Sequence, residues 1–290
     1  MSMKITPLCA SLGAEVHGLD LRQPVSEDLR EQLHEAWNRH LVLVFRDQRL
    51  DAGQFLAASQ LFGALDMPPG VRYGRVHIPE HPEIALMSNE EENGKPKGLL
   101  GSSELVWHAD MTFDDLPPRG AILYPLRLPE TGGETFFSNL YLAHDTLPEA
   151  LRAQAQGRHA FHDGSLNSAG KPRAEGAALR EGERPLGAIH PLLRVHPATG
   201  RSVVFLGRRQ KSYVTELPDE RGEALLDRLW AHATQPQFVY RHEWRMGDML
   251  IWDNLATMHR RDALDASQPR TLYRTQISGR QAVRAAAEAA

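Results

Sequence analysis

The sequence predicts a mainly β protein with flanking helices, its strands closed or double-layered into a single core. Three observations carry that expectation. Short apolar or alternating runs separated by turn residues recur along most of the chain, the pattern of β architectures. Helical periodicity is concentrated toward the N-terminus. Regular strand–helix alternation, which a doubly wound parallel sheet requires, is missing.

The elements follow in order. Met3 to Asp20 alternates apolar residues around Gly13 and Gly18, as short strands do. Ser26 is placed to cap a helix carrying Leu29, Leu33, Ala36 and Trp37, and Asp51 one carrying Phe55, Ala58, Leu61 and Phe62, stopped at Gly63. Leu41–Phe45 reads as a buried strand between them. Residues 66–103 are rich in Pro, Gly and charge, with one strand at Ile84–Met87 and an exposed turn at residues 90–96. Strands are expected at Leu105–Asp110, Arg119–Arg127 and Glu134–Ser138, and a short helix from Leu147 to Gln156 opened by Pro148. Residues 162–187 are polar and glycine-rich and too long for a passive connection, which predicts a mobile flap. Strands resume at Leu192–His196 and Ser202–Leu206. Residues 218–232 are amphipathic; Phe238, Tyr240, His242 and Trp244 alternate; Met249–Trp252 and Leu272–Ile277 complete the series. The Ala-rich residues 281–290 read as a frayed tail. Residues 1–290 thus form one domain, near the upper size of a single core.

Composition narrows the function. A net charge of −4 with no long basic run argues against nucleic acid as partner. No apolar stretch is long enough to span a membrane, and Met1 to Ala10 lack a long apolar core after a basic head, so no secretory signal is expected. Cys9 is the only cysteine, which excludes an internal disulfide and any cysteine metal cage and fits the cytoplasm. No glycine-rich phosphate loop is present.

The chemistry resides in the histidines. His108 and Asp110 in Trp107-His108-Ala109-Asp110 are two residues apart, so on a strand they share a face and can reach one metal ion. His259, after the run Met249–Asn254, is the best candidate for a third donor. Two imidazoles and one carboxylate leave three octahedral positions open, a set suited to non-haem Fe(II). The same three donors with a water would also make a zinc hydrolase, and a non-catalytic barrel binding a small acid is a further alternative.

The segment Trp107–Phe113, Pro117-Pro118, Gly132-Gly133-Glu134-Thr135, and Trp252-Asp253-Asn254 before His259 and Arg270 resemble the TauD/TfdA family of Fe(II)- and 2-oxoglutarate-dependent dioxygenases, from Ile5 to about Gly279. The resemblance implies a double-stranded β-helix (jelly-roll, cupin-like) core. It implies Fe(II) held by His108, Asp110 and His259, with Thr135 and Arg270 gripping the distal carboxylate of 2-oxoglutarate. It implies O2 as oxidant, succinate and CO2 as co-products, and a homo-oligomer, dimer or tetramer. Arg274 matches the residue that binds the anionic end of the prime substrate, so a small anionic substrate is expected; pairing of Arg274 with an internal carboxylate is the alternative. Glu104 stands where relatives carry Asn and suits a substrate amine or hydroxyl, or else a salt bridge outside the pocket. Tyr73 is a further substrate candidate, and the histidine that taurine dioxygenase offers its sulfonate has no counterpart in residues 66–73. Phe205 reads as pocket wall or plain core, and Trp252 as packing beneath the metal.

Overall fold

A computed structural model describes residues 3–68, 70–71, 74–102, 105–172, 186–279 and 284–285. Tyr73 and Glu104 lie outside the described residues, as do 173–185 of the expected flap and most of the expected tail.

Two sheets face each other. In the larger, neighbours run Lys4–Pro7, Ala14–His17, Val42–Phe45, Met249–Asp253, Gly120–Arg127, Thr271–Ile277, Ala85–Ser88 and Leu99–Leu100, with Leu65–Asp66 also on Thr271–Ile277. The smaller, wholly antiparallel sheet runs Val239–His242, Thr135–Asn139, Thr257–Arg261 and Leu105–His108. Period-two alternation decides what lies between them. Val42, Val44, Ala121, Leu123, Leu250 and Trp252 point inward and join Phe137 and Met258 of the small sheet in one cluster. The Phe137 and Trp252 rings meet 5.7 Å apart across the gap. Leu43, Phe45, Ile122, Tyr124, Met249 and Ile251 point outward and pack under two helices. This is the expected jelly-roll, with a covered outer face on the large sheet.

Those helices start and stop as the sequence dictates. Glu27–His40 is capped by Ser26, whose hydroxyl accepts from Leu29 N, and buries Leu33, Ala36 and Trp37. Ala52–Gln60 opens with a reciprocal capping box between Asp51 and Gln54 and buries Phe55 and Ala58. Asp219–Ala233 buries Leu225, Leu226 and Leu229 in the inner cluster. Among the described residues, no helix is long and apolar enough to cross a membrane.

The structure departs from expectation in three places and frames the expected exposed turn with a short ladder. Leu140–Asp145 is a helix that six residues are too few to signal by periodicity; Asn139 caps it, accepting from Tyr141 N and Leu142 N. Residues 90–96 form a small hairpin, Glu91–Glu92 on Lys95–Pro96, with Asn93 and Gly94 both at positive φ as a tight hairpin turn demands. The ends of the 162–187 segment belong to a ladder, since His162 pairs with Ala188 and Asp163 with Gly187. Within the expected tail, Arg284–Ala285 pairs with Arg194 and Val195.

Candidate active site

His108 and His259 are brought together by register. They are Cα partners on adjacent antiparallel strands of the small sheet, and their ring centroids are 4.2 Å apart. The pairing shifts between His259 and Arg261, an irregularity of the kind that re-aims side chains beside functional sites. Asp110 arrives differently from the expected strand alternation. The strand stops at His108, and Asp110 stands in the turn that follows, before Met111 at φ 47. Its peptide is held from the far side by Asn254: Asn254 Oδ1 accepts from Asp110 N at 2.6 Å, and Asn254 Nδ2 donates to the Asp110 carbonyl at 2.9 Å.

One atom from each of His108, Asp110 and His259 lies within 4.8 Å of the others, and all three residues are buried. His108 Nε2 and His259 Nε2 each stand 3.7 Å from an Asp110 oxygen. That is too long for hydrogen bonds and close to the ~3 Å edge between neighbouring donors on a first-row metal with bonds near ~2.1 Å. The tautomer agrees. His108 Nδ1 donates to the Val106 carbonyl at 2.6 Å, so Nε2 carries the lone pair. His259 Nδ1 is buried without a hydrogen-bond partner. Burial lowers both imidazoles, His108 well below its ordinary range and His259 to about 4. Burial pushes the Asp110 carboxyl upward, but the Arg274 guanidinium and then the imidazoles outweigh it and hold it below the usual carboxylate range. All three donors are therefore in their ligating forms near neutrality.

The cavity beside them is lined by His108, His259, Thr135, Arg261, Arg270 and Arg274, with Trp252 and apolar Met87, Leu105 and Leu123 as walls. Three arginines and no carboxylate line it among the described residues. Arg270 sits just before Thr271–Ile277 and is buried. Burial, then the neighbouring Arg261, brings its guanidinium down to about 9, and its Nε has no hydrogen-bond partner. Gly133, at φ +79, leaves room for it: an added Cβ would lie 3.2 Å from Arg270 Nε. Thr135 is buried and accepts from Trp244 Nε1 at 3.0 Å. Arg274 reaches the cavity as expected, yet its Nη2 donates to Asp110 Oδ2 at 2.6 Å, so the pairing with an internal carboxylate, the alternative above, is what the structure contains. Its Nε is buried without a hydrogen-bond partner.

Trp252 lies 4.8 Å from the His259 ring, as packing beneath it. Phe205 is fully buried core, stacked on His162. Sequence reasoning missed three residues. Asn254 was visible only as part of a motif. Arg261 is two residues past His259 on one strand, a spacing that signals a shared face. Trp244 was assigned to strand alternation, but Val239–His242 ends before it.

The family model described as "Taurine catabolism dioxygenase TauD, TfdA family" matches residues 4–276. The alpha-ketoglutarate-dependent 2,4-dichlorophenoxyacetate dioxygenase of Cupriavidus pinatubonensis is 32% identical over 290 residues, covering 94% of this chain and 97% of its own. Pentalenolactone F synthase of Streptomyces arenae is 31% identical over 282 residues, covering 93% of each. Among solved structures, AAD-2 in complex with Mn(II) and N-oxalylglycine superposes with a TM-score of 0.81 at 28% identity, covering 97% of this chain and 98% of that one.

Proposed function

The chain belongs to the TauD/TfdA family of Fe(II)- and 2-oxoglutarate-dependent dioxygenases, and from that premise we propose that it hydroxylates a C–H bond of a small anionic substrate while 2-oxoglutarate becomes succinate and CO2. One observation carries the reading: a two-histidine, one-carboxylate donor set opens onto a cavity whose other charged groups, among the described residues, are arginines.

The residues fit the metal and the co-substrate. His108, Asp110 and His259 would hold Fe(II), which when bound supplies O2 activation and the oxidising equivalents that decarboxylation and hydroxylation need. Thr135 and Arg270 offer O–H and N–H donors to the distal carboxylate of 2-oxoglutarate, and a guanidinium matches that planar anion in a way an ammonium does not. Arg274 orients Asp110 through Nη2 and keeps Nε for the anionic group of the prime substrate. Met87, Leu105, Leu123 and Trp252 exclude water from the reacting groups. Sulfonates, aryloxyacetates, sulfate esters and amino-acid-like acids are the substrate classes this charge pattern admits.

A zinc hydrolase would leave Thr135 and Arg270 without a task, and among the described residues no carboxylate lines the cavity as general base. The test is anaerobic addition of Fe(II) and 2-oxoglutarate, then succinate release screened over the four classes. A visible charge-transfer band that is lost in His108→Ala, and substrate-dependent succinate, are expected. Absence of the band with intact metal binding overturns the reading.

A further inference from the structure

We propose that Trp244 is a positioning residue for the co-substrate: its indole N–H occupies a lone pair of the Thr135 hydroxyl and so commits that hydroxyl to donating toward the distal carboxylate. The inference rests on the reading of Thr135 and Arg270 as the carboxylate site.

An indole nitrogen can only donate, whereas a threonine hydroxyl has one proton and two lone pairs. Trp244 Nε1 lies 3.0 Å from Thr135 Oγ1, so this oxygen is the acceptor in the pair. The hydroxyl proton has to go elsewhere, and among the described residues nothing accepts it. Thr135 is buried and lines the cavity, as does Arg270, whose Nε is likewise without an acceptor. Two buried donors facing one cavity call for an anionic acceptor, since burying unpaired donors is costly. Without the indole, the hydroxyl could rotate and present a lone pair, repelling the same anion.

The indole is itself held. Thr135 pairs in register with His242, which places Trp244 just past the end of that ladder. Its ring meets the His242 imidazole edge to face at 4.6 Å and 88°. Tyr240 Oη lies 2.9 Å from His242 Nδ1 and Asp248 Oδ2 lies 3.2 Å from His242 Nε2. Arg46 Nη1 donates to the same Asp248 oxygen at 2.6 Å. A ring buttressed in this way fixes its hydrogen bond at little entropic cost.

The test compares two ligands on the Mn(II)-loaded protein by calorimetry: 2-oxoglutarate and 2-oxopentanoate, which lacks the distal carboxylate. Trp244→Phe keeps the ring and removes the N–H. It should weaken 2-oxoglutarate about fivefold to tenfold, the size of one hydrogen bond, and leave 2-oxopentanoate unchanged. In a Thr135→Val background it should add nothing. Equal loss for both acids, or no loss where Thr135→Val shows one, overturns the positioning role. No loss in Thr135→Val overturns the carboxylate reading and the proposal with it. A measurement independent of the Trp244 variant guards against misfolding. Of the five tryptophan indole N–H signals in 1H–15N spectra, one should move upfield in Thr135→Val; if none moves, the bond and the proposal fall.

Discussion

Asn254 grips the peptide of Asp110 on both sides, accepting from its N–H and donating to its carbonyl, while also donating to the Pro118 carbonyl at 3.0 Å. The two residues are 144 positions apart, and the amide is fully buried. A carboxylate standing in a turn is thereby aimed as firmly as if it were on a strand. Asn254→Ala leaves one N–H and two carbonyls without partners. Each costs ~1–3 kcal/mol when buried, and outer-shell losses commonly weaken metal binding ~10–100-fold. Mn(II) titration followed by EPR and denaturant unfolding should show both effects. Unaltered Mn(II) affinity would mean that Asp110 is oriented without Asn254.

Gly133→Ala and Gly132→Ala form a matched pair. Both glycines have positive φ, +79 and +81, so each substitution costs about 1 kcal/mol in backbone strain. Only at Gly133 would the new Cβ crowd Arg270, at 3.2 Å from Nε and 3.3 Å from Cδ; at Gly132 it meets open space. Steady-state kinetics should show KM for 2-oxoglutarate raised roughly tenfold in Gly133→Ala, as a displaced charge-assisted contact predicts, and unchanged in Gly132→Ala. Equal KM values would detach Arg270 from the co-substrate.

Arg274→Gln separates the two tasks of that guanidinium. If Nε serves the substrate anion, KM for the prime substrate rises by more than about tenfold, and succinate forms without matching hydroxylation. Metal and 2-oxoglutarate binding then stay within about threefold, because Asn254 still holds the Asp110 peptide. Collapse of metal binding with substrate KM unmoved would make the Arg274–Asp110 pair purely structural.

The acid limb of stability should be steep. His190 is buried, its Nε2 donating to the Thr112 carbonyl at 2.9 Å, and burial, then Arg194, brings it down to about 4. His162 beside it is lowered well below its ordinary range by burial and then by His190. Between about pH 6.5 and 4 the unfolded chain binds these protons and the native one does not. Stability from these groups is therefore complete above about pH 6.5 and falls on acidification, by up to about 1.4 kcal/mol per pH unit for each histidine. Urea midpoints measured from pH 7.5 to 4.5 should trace this slope, and His190→Gln should flatten it. A slope untouched by that substitution would assign the acid sensitivity elsewhere.

The helix starts were legible because caps act locally: Ser26 and Asp51 meet their partners within three residues. The inward and outward faces were legible because alternation is a property of each strand alone. Strand bounds in residues 66–103 were not, since pieces of two residues carry no periodic signal and exist only where a neighbour completes the ladder. The same limit hid the helix at Leu140–Asp145.

For the site, residue types and spacing brought out His108, Asp110 and His259, and the family resemblance added Thr135, Arg270 and Arg274, but neither showed the means by which they meet. Alternation was the wrong reason for Asp110, which owes its aim to Asn254. Arg274 donates to a carboxylate that the linear order places 164 residues away.

The sequence by itself determined the covalent chemistry and the local preferences: which donors exist, where helices open, which faces are apolar. The fold alone decided the cross-strand register that sets His108 against His259, the amide that aims Asp110, and the indole that fixes the Thr135 hydroxyl. Each of these is a contact between segments remote along the chain, and such contacts form only when burial of the shared core offsets the entropy of bringing those segments together.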